Sequence, residues 1–189
     1  MRQVVLGGVL FAGLSWGVGV AAQTVKEPAP KSPPCTVSTE EAELYSTILR
    51  TGRRFPQVVV TRTGLVHFHL SDLDGLNLQA AAQGRGIPLD VRTNFKEQNR
   101  AQCDLFALAE IENVQYSSQE DGEKPRSRRE FEKKYGKGAD VVVFSRVGFN
   151  PDKTLALVHV SGGAGGALYL YEKKNKGWTL RWHAETWAS

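Results

Sequence analysis

A chain of 189 residues with 41% hydrophobic and 23% charged residues can bury one sizeable core, which excludes a disordered or collagen-like polymer. Lys and Arg number 24 against 20 Asp and Glu. The formal charge of +4 is too small to imply a nucleic acid partner.

The N-terminus reads MRQVVLGGVLFAGLSWGVGVAAQ. Arg2 supplies a positive start, an apolar run follows from Val4 to Val20, and Val20-Ala21-Ala22 offers small residues to a signal peptidase. Residues 1–22 are therefore expected to be a cleaved export signal. A retained membrane anchor is the rival, because the run lies near the lower limit for a span. Its glycines and the lack of a Lys/Arg-rich flank favour cleavage, which leaves no stable membrane span. Residues 23–34, QTVKEPAPKSPP, read as a Pro-rich linker, since proline lacks an amide donor and favours extended chain. A single domain over 35–189 follows, in a periplasmic or secreted protein. Cys35 and Cys103 are its two cysteines, and an even pair in an oxidising compartment is expected to bridge. In the entropic account such a bridge stabilises by about 4 kcal/mol. Two free thiols or a soft-metal site are the alternatives, and the metal is disfavoured because neither cysteine has a CxxC partner or a histidine nearby.

STEEAELYSTILRTG opens with a capping residue at Ser38 or Thr39 and acidic residues in the first turn. Leu44, Tyr45 and Ile48 recur at helical spacing up to Gly52, so a helix is predicted. QVVVTRTG is β-branched and predicts a strand. LVHFHL alternates, with Val66, Phe68 and Leu70 on one face and His67 and His69 on the other, and predicts a second strand in a hairpin through Thr63-Gly64. SDLDGLNLQAAAQGRG predicts a short helix broken by Gly75 and Gly84. PLDVRTNFKEQNRA predicts a helix with Pro88 in its first turn and Leu89, Val91 and Phe95 apolar. CDLFALAEIENVQYSS is ambiguous, with a strand favoured around Ile111 to Tyr116. A charged loop then enters a helix around Arg128 to Lys134. The last third predicts an antiparallel meander of four strands, DVVVFSRVGF, TLALVHVS, ALYLYEKK and GWTLRWHAETW. Pro151 and Asp152 suit the first turn, and Asn175 or Lys176-Gly177 the last. The predicted fold is α+β, an antiparallel sheet ending in this meander with helices packed on one face; a small all-β barrel is the alternative.

Between two of these strands lies GGAGG, Gly162 to Gly166. A phosphate cradle needs a helix N-terminus after the loop. Here an alternating run follows and the loop holds no lysine, so it reads as a strand connection. Gly163 and Gly165 are still candidates for a small-ligand site, since loops often carry function.

Ser145-Arg146-Val147-Gly148-Phe149-Asn150 with the strand after it, and the later LYLYEKKNKGWTLRW, resemble the end of an uncharacterised family of exported bacterial proteins. Thr93, Phe95 and Asn99 are similar to a Thr-Phe-Asn helix pattern upstream in that family. The resemblance implies an exported setting and no activity. The Gly-Trp ending is also similar to the last hairpin of many cystatin-like and NTF2-like domains.

Candidate chemistry is sparse. His67 and His69 on one strand face could begin a zinc or copper site, with His159, His183 or a carboxylate as third ligand. Solvent-exposed histidines are the simpler reading. Ser145 lies in no G-x-S-x-G elbow, and Asp72 with Asp74, or Glu110 with Glu112, read as solvated pairs. The basic run Lys124, Arg126, Arg128, Arg129, Lys133, Lys134 and Lys137 is interrupted by Glu123, Glu130 and Glu132, which favours a solvated helix over a nucleic-acid surface. Trp178, Leu180 and Trp182 are expected on one buried face of the last strand, with Trp187 out of phase. Arg146 is a candidate anion-binding residue and Asn150 a turn residue, a structural role being favoured for both. The expectation is a non-enzymatic protein binding a small ligand or an envelope partner, with no cofactor. A hydrolase or metal-dependent enzyme using His67 and His69 is the alternative.

Overall fold

The computed structural model describes residues 35–51, 56–65, 67–105, 111–117, 127–163, 165–175 and 177–188. The expected export signal (1–22) and linker (23–34) lie outside the described residues, as do Val66, Glu110, Glu123, Lys124, Arg126 and Lys176.

Helix α1 spans Thr39–Arg50. Ser38 caps it, accepting from the Glu41 amide, while the Glu41 carboxylate accepts from the Ser38 amide, a reciprocal box that satisfies two otherwise orphaned donors. Strand β1 (Gln57–Val60) follows. A 3-10 turn at Leu70–Asp72 leads into α2 (Leu73–Ala82), and α3 covers Leu89–Gln98. Then come β2 (Val114–Ser117), α4 (Arg128–Tyr135), β3 (Asp140–Phe144) and the short β4 (Gly148–Phe149). The chain finishes with β5 (Leu155–Gly162), β6 (Gly165–Lys174) and β7 (Gly177–Ala188).

The sheet order is β2-β1-β3-β5-β6-β7, with β4 also paired to β5. The fold is α+β, and its C-terminal half is the expected antiparallel meander. The other half differs from expectation, because β1 runs parallel to both β2 and β3. Both edges of β1 are therefore occupied, so LVHFHL has no edge of β1 to join. The expected hairpin is absent, and His67 to His69 run irregularly, with His67 at φ 53°. The helix over 73–82 also differs, running through Gly75 rather than breaking there.

Alternation along β5 divides the core. Ala156, Val158 and Val160 join Leu44, Tyr45 and Leu49 of α1, whereas Leu157 joins Leu73, Val91 and Phe95 of α2 and α3. Helices thus cover both faces of the sheet, not the single face expected. Phe131 of α4 packs on Val58 and Ala139.

Register shifts in β7 overturn the tryptophan reading. Leu180 pairs with Tyr171 but Trp182 pairs with Leu170, which leaves Arg181 as an extra residue. A one-residue bulge resets the period of two. Trp178 consequently packs with the α1 core and Trp182 with the α2/α3 core, while Leu180 is exposed. A second shift makes Thr186 extra and carries Trp187 over Gly166, where a Cβ would collide with the indole. That close approach requires glycine.

Candidate functional site

The β3-to-β4 junction carries the same device. Phe144 pairs with Val160 and Gly148 with Leu157, one residue more on the first strand than on the second. Ser145 fills the gap, its amide donating to the His159 carbonyl and its hydroxyl accepting from the His159 amide at 2.8 Å. The extra residue interrupts the single strand expected over DVVVFSRVGF, and the Arg146 side chain turns toward α1.

There Arg146 meets Glu41, which is 2% exposed. Nε donates to Oε1 at 2.7 Å and Nη2 to Oε2 at 3.0 Å, a bidentate pair. Glu41 also accepts from the Ser38 amide at 2.8 Å and the Val147 amide at 3.1 Å, so its buried charge is fully hydrogen-bonded. Burial opposes the charge on Arg146, but Glu41 outweighs it and raises the guanidinium pKa. Nη1 faces the Cys35–Cys103 disulfide, 2.6 Å from the Cys103 sulfur and 3.3 Å from that of Cys35. The disulfide expected from sequence is present.

Helix α3 secures the other side. Asn99 donates to the Arg146 carbonyl and accepts from its amide, at 2.9 and 2.8 Å, and Asn94 accepts from the Phe149 amide at 2.8 Å. A Cβ on Gly148 would meet the Phe95 backbone, so glycine lets α3 lie directly on β4. Tyr45 donates to the Ser145 carbonyl at 2.7 Å. Asn150 closes the β4–β5 turn, accepting from the amides of Thr154 and Leu155 at 2.8 and 2.7 Å.

An open cleft of about 390 Å³ lies beside this assembly, its walls including Ser38, Asn94, Gln98, Arg146, Phe149 and Lys153. Sequence reasoning reached Arg146 and Asn150 but missed Glu41, Asn94 and Gln98. Glu41 was legible as half of a Ser-x-x-Glu capping box; nothing local marked its distant partner.

The other candidates lie elsewhere. His67 and His69 are exposed off any strand, His67 edge-on to Trp187 at 5.0 Å. His183 stacks on Tyr169. His159 is fully buried, stacked on Phe68 at 4.9 Å, with Nε2 2.9 Å from Thr186 Oγ1. Among the described residues no three His, Cys, Asp or Glu side chains group as metal ligands. Asp74 bridges Arg92 and Lys96 at 2.7 and 3.0 Å. Arg128 pairs with Glu132 along α4. Gly163 and Gly165 flank the β5–β6 turn at the C-terminal end of β5. The Gly163 amide donates to Asp140 Oδ1 at 3.1 Å, and a Cβ on Gly165 would meet the Trp187 carbonyl.

No helix of the described residues is long and apolar enough to cross a membrane. Compared with known proteins, the chain matches no family model, no curated protein and no solved structure.

Proposed function

We propose that this chain is an exported bacterial protein, periplasmic or secreted, that binds a small ligand or a segment of an envelope partner without catalysing a reaction. The observation that carries this reading is the cleft beside Arg146. Its hydrogen-bonding side chains come from α1, α3 and the β4–β5 turn, and they are held by a saturated buried network. The wall mixes donors and acceptors. Glu41 is satisfied, and Asp90 Oδ1 accepts from the Val91 amide; the amide groups of Asn94 and Gln98 line a cleft of small-ligand size, and the Lys153 ammonium at its wall pairs with Glu40 at 2.6 Å. Phe149 and Pro151 supply an apolar floor. This favours a small polar ligand, and one bearing a carboxylate exchanges with Glu40 for the Lys153 ammonium. The export reading is supported by the leader sequence, by the disulfide, which suits an oxidising compartment, and by the SRVGFN resemblance.

The test is a ligand-observed NMR screen with carboxylate-bearing dipeptides and monosaccharides, alongside metal analysis of the purified protein. Binding of a carboxylate that weakens roughly tenfold or more in Gln98→Ala and Lys153→Ala supports the reading. Stoichiometric zinc that disappears in His67→Ala and His69→Ala replaces it with a metal-dependent enzyme.

A further inference from the structure

The Cys35–Cys103 bridge packs in an apolar cluster, yet it faces a guanidinium that a purely structural disulfide does not need. The two sulfurs also differ. Cys103 is 1% exposed, within the α1 core, whereas Cys35 is only half-buried at its margin. Arg146 is the third party. Glu41 holds the Nε–Nη2 edge of its guanidinium and so fixes where the remaining nitrogen points, which is at both sulfurs and closest to Cys103. A thiolate is the species that benefits most from such a donor, because it carries full charge where a disulfide sulfur carries almost none. The pair is therefore arranged so that one sulfur is reachable and the other can leave as a stabilised anion.

We propose that Cys35–Cys103 is a thiol–disulfide exchange site, opened by a dithiol at Cys35 with Arg146 stabilising the departing Cys103 thiolate. The attacking thiolate of the dithiol forms a bond to Cys35 Sγ. The Cys35–Cys103 bond breaks, and its electron pair goes to Cys103 Sγ beside Arg146. The second thiol of the reagent, deprotonated, then attacks the reagent sulfur of the mixed disulfide and releases Cys35, which takes a proton. The bridge gains two electrons and the dithiol is oxidised to a disulfide. Of the two dithiol protons, one ends on Cys35 and one in solvent. Exchange is fastest when the leaving thiol has a low pKa, which is the property the guanidinium confers. Glu41 tempers the effect by its own charge while enforcing the geometry. The inference does not depend on the ligand of the neighbouring cleft.

Two measurements decide it. The first is the equilibrium constant for reduction by dithiothreitol, compared between the native chain and the double variant Glu41→Gln/Arg146→Met, which removes both charges together and so leaves no buried ion unpaired. The native bridge is expected to be at least tenfold easier to reduce, about 30 mV in potential. The second is the thiolate absorbance of Cys35→Ala as pH is raised. Cys103 is expected to ionise below the ordinary cysteine value of about 8.5. Equal reduction constants, or a Cys103 midpoint at or above that value, overturn the proposal. If the double variant fails to fold, the Cys35→Ala titration alone decides.

Discussion

The Glu41–Arg146 pair shows how a buried charge is tolerated. Every oxygen of Glu41 is occupied by a guanidinium or a backbone amide. Removing one partner leaves the other charged and unpaired, which costs far more than the pair contributes. Arg146→Ala is therefore expected to lose on the order of 3 kcal/mol or more of stability, read from urea unfolding. A midpoint unchanged in that variant, with ligand binding abolished, would instead place Arg146 in the cleft as a binding residue alone. Asn150→Ala removes acceptors for two amides and is expected to cost about 1 kcal/mol or somewhat more by the same measurement. The Asn150 role was legible in sequence because its partners lie within five residues. The Arg146 role was not, because Glu41 lies 105 residues away.

At the level of elements, bulges decide which face each side chain takes. The extra residue at Arg181 lets one strand put Trp178 into the α1 core and Trp182 into the α2/α3 core. Arg181 is itself exposed. Arg181→Ala is thus expected to change stability by no more than about 0.5 kcal/mol. Deleting Arg181 would restore strict alternation and turn Trp182 away from its core, with a loss on the order of 3 kcal/mol or more. Tryptophan fluorescence during urea unfolding compares the two. An equally stable deletion would mean that the bulge only absorbs a local irregularity. Helix α3 makes a matching demand, since Gly148→Ala would force it off β4 and should cost on the order of 2 kcal/mol by the same unfolding curves.

At the scale of the whole molecule, the sheet separates two apolar cores, and His159 is an ionisable group inside one of them. It shares the Leu157 face of β5, stacked under Phe68 with its Nε2 beside the Thr186 hydroxyl. Burial pushes its pKa down to about 4 from 6.5. The folded state therefore refuses a proton that the unfolded chain accepts once pH falls below its ordinary value. Stability is full above about pH 6.5 and declines as pH falls toward about 4, by on the order of 3 kcal/mol. His159→Gln is expected to flatten that decline in urea midpoints measured between about pH 7 and about pH 5. An equal slope in the variant would assign the acid sensitivity to other groups.

Local chemistry in the chain was enough for α1, α3, β1 and the C-terminal meander. Capping residues placed α1, Pro88 preceded α3, and β-branched runs marked β1 and the meander, because each signal acts within a few residues. The disulfide too was legible, from an even cysteine count behind an expected export signal. Only the tertiary structure decided that β1 takes parallel neighbours on both sides, which denied LVHFHL a strand partner and left His67 and His69 off any shared face. It also decided the phases of Arg146 and Trp182, since a single extra residue inverts every later position and depends on what packs above the sheet. The site by Arg146 was invisible for the same reason. Its groups come from distant parts of the chain, and packing free energy rather than sequence spacing brings them together.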